Sequence, residues 1–162
     1  MRVELFGRWG VDHPFVLEAP LSSSALEEPA PGRSCPGPGH AARVRRSCTG
    51  KHCIERHAAV LVLWWLPGSL LDRGDVIACY EGVRALSEGC LLPLVVYLQG
   101  LAGITPEART VLLEGSLSSR IGVVGAGPVD QVIAAFMEQA MCETRYFEQP
   151  GDALAWALDA PG

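Results

Sequence analysis

The sequence predicts an α/β domain in which a mostly parallel sheet of four to five strands is covered by about four helices. Short apolar, β-branched runs recur at 58–66, 91–98 and 119–125, each of strand length. Stretches with helical spacing of their apolar residues separate these runs. Pro and Gly punctuate the joints, so the connections are short. Strands that alternate with helices across short joints indicate parallel pairing, because parallel neighbours need a crossover connection and a helix provides it.

Residues 1–45 differ in character, with Ser22, Ser23 and Ser24 followed by the Pro- and Gly-rich EEPAPGRSCPGPGH at 27–40. Such density of Pro and Gly interrupts regular elements, so this segment is read as a flexible extension and 46–160 as the domain. A short strand at 2–9 has weak alternation through Val3, Leu5 and Phe6. Residues 43–57 suit a hairpin partner turning at Thr49-Gly50. The run AAVLVLWWL at 58–66, closed by Pro67-Gly68, is apolar on both faces and fits a central strand, which puts Trp64 and Trp65 on opposite faces.

Asp72 has the position of an N-cap for a helix whose apolar positions are Val76, Ile77, Tyr80, Val83, Ala85 and Leu86, ending at Gly89. LPLVVYL follows as a buried strand, with Pro93 near its start where the missing N–H is tolerated. Thr105-Pro106-Glu107 is a helix start, a hydroxyl cap followed by proline at the first helical position. That helix, with Ala108, Val111 and Leu112, ends at Gly115. The strand at 119–125 leads to a helix at 128–142 with Val129, Val132, Ile133 and Phe136 inward. A short strand at 144–147 and a helix at 151–158 complete the chain.

A net charge of −5 over 162 residues argues against a nucleic-acid surface, which needs clustered cations. The one basic cluster, Arg43, Arg45, Arg46 and Lys51, reads as solvated. The start MRVELFGRWGVDH lacks the apolar run of a signal peptide, and the longest apolar run is about half of the ~20 residues a membrane helix needs. Cytoplasmic location without membrane insertion is the expectation, and with it six free cysteine thiols instead of a disulfide frame.

Several residue groups invite chemistry. Gly125-Ala126-Gly127-Pro128-Val129-Asp130, between a strand and a helix, opens like a dinucleotide fingerprint, yet Asp130 stands where the third glycine belongs and only 32 residues follow it. A Gly-rich turn is the plainer reading. Cys35, His40, Cys48, His52, Cys53 and His57 have metal-ligating side chains, but no C-x2-C knuckle is present, so no metal is expected. All four histidines, His13 included, precede the α/β region, and Cys79, Cys90 and Cys142 read as inert thiols, so no nucleophile–base pair is local. The pairs Asp72 and Asp75, Glu27 and Glu28, and Asp130 and Glu138 suit capping and solvation, and Trp156 suits packing. Thr105, at the carboxyl edge of a central strand, is the polar residue of greatest interest, since a phosphate there would meet free N–H groups.

Taken together, PGSLLDRGDV at 67–76, LPLVVYLQGLAGITPEAR at 92–109, SSRIGVVGAGPVDQVIAAFM at 118–137 and TRYFEQPGDALAWAL at 144–158 resemble the bacterial STAS-like group called SpoIIAA-like, which shares its fold type with CRAL-TRIO lipid-binding domains. The resemblance covers about 58–160. It implies a small sheet with helices and a regulatory or binding role without catalysis. STAS phosphoswitch proteins carry an Asp-Ser-Ser-Gly type phosphoacceptor motif before the second helix. Here the loop reads Gly100-Leu101-Ala102-Gly103-Ile104-Thr105, with Thr105 the hydroxyl nearest that place. The function expected is binding of a protein partner or a small apolar or anionic ligand through Gln99, Gly100, Gly103 and Thr105, with no cofactor. A nucleotide-binding enzyme using the Gly125–Pro128 turn is the alternative, and a lipid carrier the third reading.

Overall fold

The computed structural model describes residues 45–115 and 118–159. The strand weighed at 2–9, the extension at 1–45 up to Arg45, and Cys35, His40, Glu27 and Glu28 lie outside the described residues. The chain begins with the hairpin β1 (Arg45–Cys48) and β2 (His52–His57), then β3 (Val60–Trp65) and the two-residue β4 (Leu70–Leu71). Helix α1 (Arg73–Ser87), β5 (Leu94–Tyr97), β6 (Gly103–Ile104) and α2 (Pro106–Glu114) follow. The last elements are β7 (Arg120–Val124), α3 (Pro128–Met137), β8 (Glu143–Phe147) and α4 (Pro150–Leu158).

Six strands form one sheet in the order β1-β2-β3-β5-β7-β8. β1, β2 and β3 pair antiparallel, and β3, β5, β7 and β8 parallel. The α/β class and the helices on the sheet are as the sequence predicts. The sheet is wider than four to five strands because 45–57 contributes both arms of a hairpin, turning at Thr49-Gly50 as read. β4 and β6 pair separately and parallel, a two-residue bridge too short to leave a pattern in the sequence.

Local chemistry explains the helix ends. Asp72 accepts from the Asp75 N–H at 3.0 Å while the Asp75 carboxylate accepts from the Asp72 N–H at 2.9 Å, a reciprocal capping box. Lys51, from the β1–β2 turn, donates to the same Asp75 oxygen at 2.7 Å, so it is paired instead of solvated. At the other end of α1, Glu88 takes the left-handed conformation, φ 51°. Arg56 of β2 holds that end, donating to the Leu86 carbonyl at 2.8 Å and to Glu88 Oε2 at 2.6 Å.

The sheet separates two apolar layers. Ile54, Leu61, Leu63, Trp65, Leu94, Val96 and Val123 face α1 and α3, whereas Val60, Val62, Trp64, Val95 and Val124 face the side of α4. Trp64 and Trp65 therefore do point to opposite faces. α1 lies over β1, β2 and β3, and α4 over β5, β7 and β8.

Two expectations need correction. Cys48 and Cys53 are direct partners across the hairpin, with Cα atoms 4.1 Å apart, and form a disulfide, so they are not free thiols. On α3 the buried residues are Asp130, Ile133, Ala134 and Met137, while Val129 and Val132 are 46% and 63% exposed. Val129, Val132, Ile133 and Phe136 do have the spacing of one stripe, but the packed stripe is Asp130, Ile133, Ala134 and Met137, the same pattern one residue later, so the buried face is turned by about 100° from the expected one.

Candidate functional site

The loop expected to make contacts starts where β5 ends. Gln99 and Gly100 turn the chain with φ values of 56° and 69°. Three backbone bonds of 2.9 Å then lace the loop to the segment after β3: Gly68 N–H to the Gly100 carbonyl, Ala102 N–H to Ser69, and Thr105 N–H to Leu71. Thr105 Oγ1 accepts from the Ala108 N–H at 3.3 Å and Pro106 opens α2, the cap the sequence predicts. The hydroxyl is thus already engaged in capping.

Beyond this loop lies an open groove of about 350 Å³ between α2 and α3, lined by Gly103, Ile104, Arg109, Val129, Val132 and Phe136 among others. Of the four expected site residues only Gly103 lines it. Gly100 turns its N–H toward α3, Gln99 supplies the bend, and Thr105 anchors α2. Arg109 lies with its guanidinium carbon 4.9 Å from the centre of the Phe136 ring, and among the described residues no carboxylate pairs with it. A cation held on an aromatic face at the margin of an apolar groove is chemically suited to an anionic group attached to an apolar body.

Behind the groove an apolar cavity of about 50 Å³ sits between the sheet and the helices, bounded by Leu63, Trp65, Cys79, Val96 and Met137 among others. Ile104 and Ile133 belong to the walls of both spaces. Two aliphatic side chains therefore separate the groove from the core. Burial pushes the Cys79 thiol up to about 12, so this cysteine lines the cavity as an unreactive apolar group.

The Gly125–Pro128 turn has a different use from the one its glycines suggest. Asp130 is 1% exposed, and its Oδ2 accepts from the N–H groups of Ala126 and Gly100, each at 3.1 Å. A carboxylate thus occupies the amides that a phosphate would need, and its charge repels one. A Cβ on Gly125 would stand 2.6 Å from Asp130 Cβ and 2.9 Å from Tyr146 Cε2, so packing of that aspartate explains the glycine.

The remaining candidates are dispersed. His52 is fully buried, with Nδ1 3.0 Å from Thr49 Oγ1 and its ring edge-on to Trp65 at 5.3 Å. Desolvation lowers its pKa to about 4, with the Asp75 carboxylate opposing the shift. His57 Nε2 lies 3.0 Å from Glu55 Oε2, both side chains buried. Among the described residues no three of the metal-ligating type converge. Cys90 is exposed and Cys142 half-buried. Trp156 packs beneath Arg120, whose guanidinium is 4.4 Å from its ring centre. No helix among the described residues is long and apolar enough to cross a membrane.

Sequence reasoning missed Arg109 and the outward placement of Val129 and Val132. One signal was available: Val129 and Val132 are three apart and Phe136 follows four later, a second stripe beside Ile133 and Met137 on a helix too short to need two.

No family model and no curated protein matches this chain. Among solved structures three chains match. One is an uncharacterised protein of the DUF3478 family with a SpoIIAA-like fold from Shewanella loihica PV-4, 18% identical, with a TM-score of 0.48, covering 74% of this chain and 99% of that one.

Proposed function

We propose that this chain is a STAS-like binding domain without chemistry of its own, and that its ligand is a small amphipath. The apolar body would lie in the groove between α2 and α3, and the anionic group on Arg109. What supports this most is the wall shared by the groove and the inner cavity, Ile104 and Ile133, since a shift of two aliphatic side chains would lengthen the site into the core. Exposed Val129 and Val132 beside Arg109, which pairs with no carboxylate among the described residues, add the two chemistries such a ligand requires. The loop from Gln99 to Thr105 takes part as the frame that sets Gly103, Ile104 and the start of α2.

Calorimetry with decanoate, decanol and decylammonium tests this. Decanoate should bind most tightly, and Arg109→Gln should weaken it roughly twofold to tenfold, the range of an exposed to partly shielded ion pair, while leaving decanol unchanged. Val132→Asp should weaken all three. Equal affinity for the three compounds, or no binding of any, would remove the proposal. A protein partner on the same groove would compete with decanoate in the same titration.

A further inference from the structure

The turn between β1 and β2 holds three walls of the inner cavity in place. Lys51 Nζ donates to the Leu70 carbonyl at 3.1 Å and to Asp75 Oδ2 at 2.7 Å, which fixes the positions of Leu71 and Val76, each one residue further on. The Lys51 carbonyl accepts the Leu66 N–H at 2.7 Å, next to Trp65. His52 stands opposite Trp65 in the strand register, its ring edge-on to that indole at 5.3 Å. Trp65, Leu71 and Val76 all line the cavity of about 50 Å³. Both anchors, Lys51 and His52, lie inside the short loop that the Cys48–Cys53 disulfide closes.

We propose that this disulfide is a thiol-responsive switch on the cavity wall. Two features suit it to switching instead of stapling. Its cysteines are only 5 positions apart, and a cross-link that closes a short loop removes little entropy from the unfolded chain, so the fold survives its loss. β1 has 4 residues, pairs with β2 alone among the described residues and ends at Cys48, so the bond pins the start of the turn. Cys48 is half-buried, which leaves it accessible. The thiolate of a small-molecule thiol attacks Cys48 Sγ, the S–S bond breaks, and Cys53 leaves as a thiolate that takes up a proton. A second thiol then displaces Cys48 from the mixed disulfide, so the protein gains two electrons and two protons while two small thiols become one disulfide. Once the bond is reduced, Thr49 frays with the end of β1. Its Oγ1 accepts the N–H groups of Lys51 and His52, each at 3.2 Å, so both anchors loosen with it and the cavity can widen. Resting on the reading of groove and cavity as one site, the reduced chain admits a longer apolar tail than the oxidised one.

Amide exchange followed by NMR tests this on the intact chain, oxidised and then reduced with dithiothreitol. Reduction should speed exchange of the Leu66 and Asp75 N–H groups by about tenfold or more while β5 and β7 stay protected. Cys48→Ser combined with Cys53→Ser should match the reduced protein with or without dithiothreitol, which separates this pair from the other thiols. Calorimetry then compares hexanoate with dodecanoate, and reduction should raise the preference for the longer chain by roughly threefold or more. Equal exchange in the two forms, loss of native circular dichroism on reduction, or faster exchange with an unchanged preference would overturn the inference. Faster exchange with neither carboxylate bound would uphold the switch and overturn the groove reading in its place.

Discussion

Asp130 reaches thirty positions back along the chain to accept the N–H of Gly100 at 3.1 Å, joining the start of α3 to the bend that leaves β5. The same oxygen accepts from Ala126. Removing the carboxylate leaves two inward N–H groups unpaired, each costing about 1–3 kcal/mol. Asp130→Ala should therefore destabilise by about 2–6 kcal/mol in urea unfolding, and Asp130→Asn, whose one amide oxygen can accept from both N–H groups as Oδ2 does, by much less. Equal losses for the two variants would mean that packing and not hydrogen bonding sets the role of this residue.

His52 makes stability depend on pH in a definite direction. Its folded pKa, about 4, is below the ordinary 6.5, so the neutral ring is the form that fits the folded protein. The contribution is complete above pH 6.5 and is lost as pH falls toward 4. Between pH 7.5 and 4.5 the loss is about 2–3 kcal/mol. His52→Phe should flatten that part of the profile relative to the parent, measured as the difference between the two urea midpoints at each pH. Parallel profiles would show that carboxylates account for the whole dependence.

Tyr80 ties α1 to the end of α2. Its hydroxyl is 3.4 Å from the carbonyl oxygens of Val111, Leu112 and Gly115, and a side chain at Gly115 would collide with the Tyr80 ring. Gly115→Ala should cost about 1–3 kcal/mol by overpacking. Combined with Tyr80→Ala, which clears the space, the two losses should fall short of their sum by more than about 0.5 kcal/mol. Strict additivity in a double-mutant cycle would place the cost elsewhere.

Thr105 separates capping from modification. Thr105→Ala should destabilise by about 1 kcal/mol, and Thr105→Ser, which keeps the acceptor to Ala108, by a few tenths. Thermal unfolding monitored at 222 nm reads both. An unchanged midpoint for the alanine variant would deny the hydroxyl its capping role.

How far the sequence could be read depended on how local each cause was. Asp72 with Asp75, and Thr105 with Pro106, act within four residues, so both helix starts were legible. The run containing Trp64 and Trp65 announced a strand buried on both faces by composition alone. Asp130 was not legible as a core residue, because half of its reason is an amide thirty residues away. The disulfide depends on the hairpin register that sets Cys48 opposite Cys53, which the C-x4-C spacing does not fix. The groove arises only when α2 and α3 come together over β6. A sequence period shows how a helix is striped, and the neighbour that will cover each stripe is a tertiary fact.

Among the described residues β8 pairs on one side only, and it carries Glu143 and Arg145, both exposed. Alternating charges on an open strand discourage docking by another strand, because a newcomer would have to strip water from both. At this edge, pairing with another strand is therefore opposed by those two side chains, and converting both to valine should make the edge a better template for strand addition.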